Sequence, residues 1–311
     1  MELIRRFASC TALTGGSVVT IGNYDGVHLG HRALLDNVTA QSKQLNLPSC
    51  VMSFEPMPSE FFGAAKSPGR LSTWRERYLQ LKAAGIDVLF LTPFSQAIAN
   101  LTPEQFVRDV LVNKLHVKLL YVGDDFRFGK GRAGGVDELR DMGERYDFSL
   151  AQLPSQCVGG ERVSSSLIRE ALLDGRLERA AKLLGRPYSM SGRVIRGQQL
   201  GRTLGFPTAN IHPRRNSLPM SGIFAIRVTG AGLRDAPAVA NLGFRPTVGG
   251  GDALLEAHVF DFDGDLYGHR LQVDFVAKLR DEEHFESLDE MVVQMDVDAA
   301  EARTILDARK S

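Results

Sequence analysis

Tryptophan occurs once in the 311 residues and cysteine only three times, at Cys10, Cys50 and Cys157. The cysteines form neither a Cys-x-x-Cys pair nor an even set, which excludes a disulfide framework and suits a reducing compartment. Each is expected to be a small buried hydrophobe. No sign of charge dominates: Lys+Arg and Asp+Glu both total 37, so no bulk field draws the chain to nucleic acid or to a membrane surface. No apolar run approaches membrane-spanning length, and the opening Met-Glu-Leu-Ile-Arg-Arg-Phe lacks the apolar core of a signal peptide. Internal repeats and low-complexity segments are also missing. A cytoplasmic protein is expected, a monomer or weak homo-oligomer, with neither nucleic acid nor membrane as partner.

The remaining composition is that of a globular protein, 43% apolar and 24% charged. Its length favours two domains. Up to residue 185, apolar runs at 18–21, 49–54, 88–91, 119–122 and 149–153 alternate with amphipathic segments. That alternation predicts a parallel sheet with helices on both faces. Thr73-Trp74-Arg75-Glu76 and Thr102-Pro103-Glu104-Gln105 are helix-start signals, and Gly85 closes the first of these helices. After Gly185-Arg186-Pro187, short β-like runs at 188–195, 223–228, 239–242, 254–260 and 271–279 sit between glycine turns. They suggest a small antiparallel barrel, followed by a helix over 287–309. The domain boundary is placed at 185/186.

Several stretches carry chemistry. Gly22-Asn23-Tyr24-Asp25-Gly26-Val27-His28-Leu29-Gly30-His31 joins a buried strand to a helix start. Glycines admit a close ligand, free N–H groups favour an anion, and two histidines can aim at it, so a phosphate site is suggested. Glu55, in Phe54-Glu55-Pro56, is either a ligand at a strand's carboxyl end or a loop charge in solvent. The loop 123–132 mixes glycines, acids, aromatics and cations; it either holds a base and phosphates or is a surface hairpin. Ser164, Ser165 and Ser166 are either plain N-caps or, with Arg162 and Arg169, a phosphate cradle. In Gly205-Phe206-Pro207-Thr208-Ala209-Asn210, an extended chain would put Thr208 and Asn210 on one face as hard oxygen donors; a turn is the alternative. Glu256 shares a face with Leu254, His258 and Phe260, as a general base or an edge charge.

Taken together, these motifs resemble the bacterial bifunctional riboflavin kinase/FAD synthetases over nearly the whole chain. The resemblance rests on residues 22–31, 54–56, 123–129, 164–169, 201–210, 241–247 and 278–282. It implies a nucleotidyltransferase-like parallel-sheet domain over 1–185 that adenylylates FMN. It also implies a six-stranded antiparallel barrel over 186–311, riboflavin-kinase-like and ending in a helix, that makes FMN from riboflavin. By carry-over His28 and His31 act in adenylyl transfer. Gly22, Asn23, Asp25, Gly26, Gly123, Asp125, Arg162, Ser164, Ser165, Ser166 and Arg169 lie on its nucleotide. In the kinase, Gly205, Pro207, Thr208 and Asn210 serve the nucleotide, Thr208 and Asn210 also hold Mg²⁺, and Glu256 is the base. ATP is co-substrate, and riboflavin, FMN and FAD are substrate, intermediate and product. The chain departs from the pattern with Tyr24 for Phe, Met57 for His, Asp125 for Asn and Ser166 for Thr.

The two reactions need different help. A ribityl hydroxyl is neutral at pH 7 and gains from a carboxylate base. The FMN phosphate is already an anion, so adenylyl transfer needs alignment and donors. Neighbouring phosphates are expected to favour protonated His28 and His31.

Overall fold

The computed structural model describes residues 1–5, 13–63, 69–197, 204–215, 217–245 and 252–309. Cys10, the Gly201-Arg202-Thr203 end of one motif and the Pro246-Thr247 end of another lie outside these residues. The chain forms two compact units, Met1–Ser67 with Arg77–Val163, and Pro68–Glu76 with Ser164–Ser311.

In the first unit the strands are β1 (Glu2–Ile4), β2 (Ser17–Ile21), β3 (Ser49–Phe54), β4 (Val88–Thr92), β5 (Val117–Gly123) and β6 (Ser149–Leu153), in the order β1-β4-β3-β2-β5-β6. All are parallel. Every residue of β2, β3 and β4 is buried. Strands covered on both faces show continuous apolar runs, which is why these could be read from sequence. The helices are α1 (Leu29–Leu45), α2 (Pro58–Gly63), α3 (Trp74–Ala83), α4 (Gln96–Ala99), α5 (Pro103–Gln105) and α6 (Val136–Tyr146). α5 opens on the expected capping box and continues into a π-helix, Phe106–Val112, that buries Phe106, Val107, Val110 and Leu111 in the core. β1 went unread because three residues show no period. From β2 the chain steps through β3 to β4, then returns to lay β5 on the other side of β2. The carboxyl ends of β2 and β5 are thus the switch point where open α/β sheets bind ligands.

The second unit begins with α7 (Ser165–Leu173) and α8 (Leu177–Leu184), after a short antiparallel pair in the first unit, β7 (Cys157–Val158) with β8 (Glu161–Arg162). A closed antiparallel barrel follows: β9 (Tyr188–Ile195), β10 (Ala209–Ile211), β11 (Gly222–Gly230), β12 (Leu233–Arg245), β13 (Asp252–Val259) and β14 (Arg270–Arg280), ordered β10-β13-β12-β11-β14-β9. Phe224, Ile226, Leu242, Leu255 and Val273 are fully buried; cutting Phe224 to alanine would cost about 3–5 kcal/mol. β12 is much longer than the expected 239–242, because Asp235 at φ +51° and Pro237 interrupt the apolar pattern; opposite Asp235 the register with β11 shifts once, and pairing resumes at Leu233. β10 is the strand the run of apolar residues did not reveal. The closing helix α9 (Leu288–Ala308) starts at Ser287, whose hydroxyl accepts from the Glu290 N–H at 3.2 Å. It packs Ala302 and Leu306 against Ala225 and Phe260. Arg280 on β14 grips Asp298 of α9 with three bonds, 2.9, 3.2 and 2.8 Å.

Residues 69–76 also belong to this unit. Arg215, whose side chain is 0% exposed, donates to Glu76 at 2.8 Å and to the Leu71 and Arg70 carbonyls at 3.1 and 3.2 Å. The Ser191 N–H donates to the other Glu76 oxygen at 2.7 Å.

Candidate functional site

In the first unit, β2 delivers the loop 22–31 to the switch point. The loop is wound tightly, with Tyr24 at φ +50°, Gly26 at +84° and Val27 at +41°. A β-branched residue in the left-handed region is strained, and the surroundings must hold it there. Tyr24 is buried, its hydroxyl 2.7 Å from the Thr20 hydroxyl, and burial pushes its phenol up. Gly22 lies under the Tyr24 ring; a Cβ there would come within 3.1 Å of it. Asp25 is 2% exposed and Asn23 points outward.

The histidines are stacked, ring centroids 3.6 Å apart and tilted by 15°. His28 is the N-cap of α1: its Nδ1 accepts from the His31 N–H at 3.3 Å. An accepting Nδ1 puts the proton of neutral His28 on Nε2. Gly30 leaves space for this ring, since a Cβ there would sit 3.2 Å from it. Burial, and then the charge of His28, hold His31 well below the ordinary 6.5. Without phosphates alongside, His31 is thus held in its neutral form, whereas protonated forms are expected beside bound phosphates. Two imidazoles in face contact share too little solvent to carry two charges. Neutral His28 keeps an N–H at Nε2 and can donate without a charge.

Gly123 and Asp125 leave the end of β5. Asp125 pairs with Arg162 at 2.7 Å, and Asp124 lies 3.5 Å from the same guanidinium. Hydrogen bonds from Ser155 hold the Asp124 carboxyl below the usual range. The aromatics of this loop are tied to the core. Phe128 is buried against Phe106, Phe126 stacks on Phe128, and Phe128 and Gly134 close a tight hairpin with two backbone bonds of 3.1 and 2.9 Å. A different aromatic group stands at the carboxyl ends of β3 and β4. Phe61 and Phe62 of α2 contact Phe94, with Phe62 68% exposed. The sequence reading missed this group, since nothing in the order of residues signals it.

In the second unit Ser164 is an N-cap, its hydroxyl accepting from the Leu167 N–H at 3.2 Å, with Ser165 and Ser166 in the first turn of α7. Arg169 donates from Nε to the Gly69 carbonyl at 2.7 Å.

The barrel of that unit carries the second site. Gly205 turns the chain at φ +85°, and the Pro207 carbonyl is 2.9 Å from His258 Nδ1. Asn210 then enters β10, 4% exposed, over Gly197, where a Cβ would sit 2.6 Å from its amide carbon. In register, Asn210 faces Glu256, Glu256 faces Asn241, Asn241 faces Ile223, and Ile223 faces Arg280. This row from five strands lines one cavity of about 380 Å³, with Met291 and Met295 of α9 across it. Asn241, whose buried Oδ1 has no partner among the described residues, was not singled out from sequence. A second cavity, about 690 Å³, is lined by Arg196, Pro207, Ala209, Asp263, Asp265 and Tyr267 and shares Thr208 and Asn210 with the first. Thr208 and Asn210 thus stand on the wall between the cavity that holds Glu256 and Arg280 and the cavity that holds Arg196, Asp263 and Asp265. Two oxygen donors there fit Mg²⁺ arriving on a nucleotide, since that ion keeps waters and phosphates as its other ligands. Among the described residues no cluster of three or more His, Cys, Asp or Glu could hold a metal.

The FAD synthetase family model matches residues 10–167 and the riboflavin kinase model residues 184–306. The bifunctional riboflavin kinase/FMN adenylyltransferase of Escherichia coli strain K12 is 46% identical over 304 residues, covering 97% of each chain. That of Haemophilus influenzae is 40% identical over 308 residues, 99% of this chain and 100% of the relative. A Streptococcus pneumoniae structure described as a macrolide-efflux protein matches with a TM-score of 0.80 at 29% identity, over 97% of this chain and 99% of that one. Among the described residues, no helix is long and apolar enough to cross a membrane.

Proposed function

The chain belongs to the bifunctional riboflavin kinase/FMN adenylyltransferase family, and from that premise we propose how its residues divide the work. It phosphorylates riboflavin to FMN with ATP and then adenylylates FMN to FAD. We assign adenylyl transfer to residues 1–185 and phosphorylation to residues 186–311.

In the kinase, riboflavin occupies the 380 Å³ cavity and ATP the 690 Å³ one. The observation that carries this is the shared wall of Thr208 and Asn210, with Glu256 beside Asn210 in register. Glu256 takes the proton of the terminal ribityl hydroxyl as that oxygen attacks the γ-phosphorus of ATP, help worth about 10²–10⁴-fold. Thr208 and Asn210 would hold Mg²⁺, which offsets the charge of the transferring phosphoryl group when bound. Arg196 suits the remaining phosphates.

In the adenylyltransferase the FMN phosphate attacks the α-phosphorus of ATP and pyrophosphate leaves. No base is needed. His28, through Nε2–H, and His31 donate to the charge that builds on the phosphate oxygens. Gly22, Asn23, Asp25, Gly26, Gly123, Asp125, Arg162, Ser164, Ser165, Ser166 and Arg169 are assigned to the nucleotide on the family resemblance. The exposed Phe61 and Phe62 offer a flat apolar surface for the flavin ring.

The test is to incubate Glu256→Gln with riboflavin and Mg-ATP, and separately with FMN and Mg-ATP, and to resolve FMN, FAD, ADP and pyrophosphate by chromatography. The expected result is no FMN from riboflavin but FAD from supplied FMN. A kinase rate within a few fold of wild type would remove Glu256 as the base.

A further inference from the structure

The reactions above leave the Phe54-Glu55-Pro56 motif without a task. Glu55 is not a free loop charge. Its carboxylate accepts a 2.6 Å bond from the guanidinium of Arg77 on α3, a side chain only 2% exposed. The same guanidinium donates to the Asn23 carbonyl at 2.7 Å, the Ser53 hydroxyl at 3.0 Å and the Phe54 carbonyl at 3.3 Å. Ser53 adds a second donor to the Asn23 carbonyl, at 3.3 Å. One planar cation therefore ties the carboxyl ends of β2 and β3 together. Only a rigid fork of donors reaches acceptors in several directions at once, which a lysine ammonium on a flexible stem does not reproduce.

What the fork holds is the entry to the strained loop. Asn23 precedes Tyr24 at φ +50°, and Val27 at φ +41° precedes His28. Such a backbone persists only where its ends are fixed from outside. We propose that Arg77, locked by Glu55, is a positioning residue for adenylyl transfer: it fixes the entry of the loop 22–31 and so the aim of His28 and His31. This rests on the reading of those histidines as the donors.

The experiment measures FAD formation from FMN by the full chain, with kcat separated from the KM for ATP and the half-saturating Mg²⁺, in Arg77→Lys, Glu55→Gln, the double variant and His28→Ala. Misaimed donors lower turnover more than affinity, so Arg77→Lys should lose about 10- to 100-fold in kcat with KM for ATP within about threefold of wild type. Glu55→Gln should lose less, in the same sense. The double variant should be no worse than Arg77→Lys, because Glu55 acts only through Arg77. FMN formation from riboflavin should be unchanged in all of them. The proposal is overturned if Arg77→Lys keeps wild-type kcat, or if KM for ATP rises tenfold at constant kcat. A shifted Mg²⁺ requirement in Glu55→Gln overturns it too, since Glu55 would then be a ligand. Full FAD formation by His28→Ala would instead sink the underlying reading of the loop, and shows itself in that variant alone.

Discussion

Between residues 22 and 31 the sheet unit carries its histidines on one contiguous loop, bent through Tyr24 and Val27 in the left-handed region. The barrel unit instead gathers Asn210, Glu256, Asn241, Ile223 and Arg280 from separate strands and sets them side by side by register alone. The loop needs an outside fastening, and Arg77 provides it. The row takes its order mainly from the ladders of the closed barrel, with Arg280 also held by Asp298 of α9. The proposed donors for an anionic nucleophile thus stand on a strained loop, while the proposed base for a neutral one stands on a closed sheet. The difference shows that positional accuracy can come from stored backbone strain or from strand pairing, and that each fails in its own way.

Removing the loop's donors should give the largest separation of the two activities. His28→Ala with His31→Ala is expected to lower FAD formation by about 10²–10³-fold or more, with FMN formation from riboflavin within about twofold, measured on one preparation by product chromatography. The register-built site should break at its tightest packing. Gly197→Ala would push a Cβ against the Asn210 amide, 2.6 Å away, and should cost the kinase roughly 10- to 100-fold by displacing that amide. Adenylyl transfer by the same variant should stay at wild-type level; a parallel loss there would mean that the two sites are not independently built.

A subtler contrast lies in pH. Below the ordinary value of 6.5, the unfolded chain takes up a proton at residue 31 that the folded site refuses. Stability from this group is thus full above 6.5 and declines as the pH falls further, by at most about 1.4 kcal/mol per pH unit. Urea unfolding followed between pH 7 and 5 should show this slope in wild type and a shallower one in His31→Asn. The smallest effect is expected at Asp125→Asn. The pair with Arg162 has side chains 70% and 51% exposed, and such pairs contribute about 0–1 kcal/mol. KM for ATP in adenylyl transfer should fall by no more than about fivefold as Arg162 is released; a larger change would make Asp125 a direct ligand.

The same contrast explains what could be read from the chain. The loop 22–31 is contiguous, so its glycines, histidines and helix start lie together in sequence. The buried parallel strands announce themselves as apolar runs. Glu256 could be noted but not placed, because its neighbours Asn210 and Asn241 are set by strand register and not by proximity in the chain. β10 shows only three residues behind a proline, too few for a period. The stacking and burial of the histidines are tertiary facts that no pattern in the chain announces. Phe126 and Phe128 were open to a ligand role for the same reason: only the fold shows them packed on the core through Phe106.

The path of the chain bears on how its gene can be divided. The polypeptide passes from one compact unit to the other at 67/68, returns at 76/77 and passes again at 163/164. A coding segment that stops before codon 164 would encode Glu76 without Arg215. One that begins at codon 186 would encode Arg215, with its side chain 0% exposed, without Glu76. A buried cation stripped of its partner costs several kcal/mol. The reading frame is therefore not two cassettes joined end to end, and a fragment bearing the barrel stays whole only if residues 69–76 are supplied along with it.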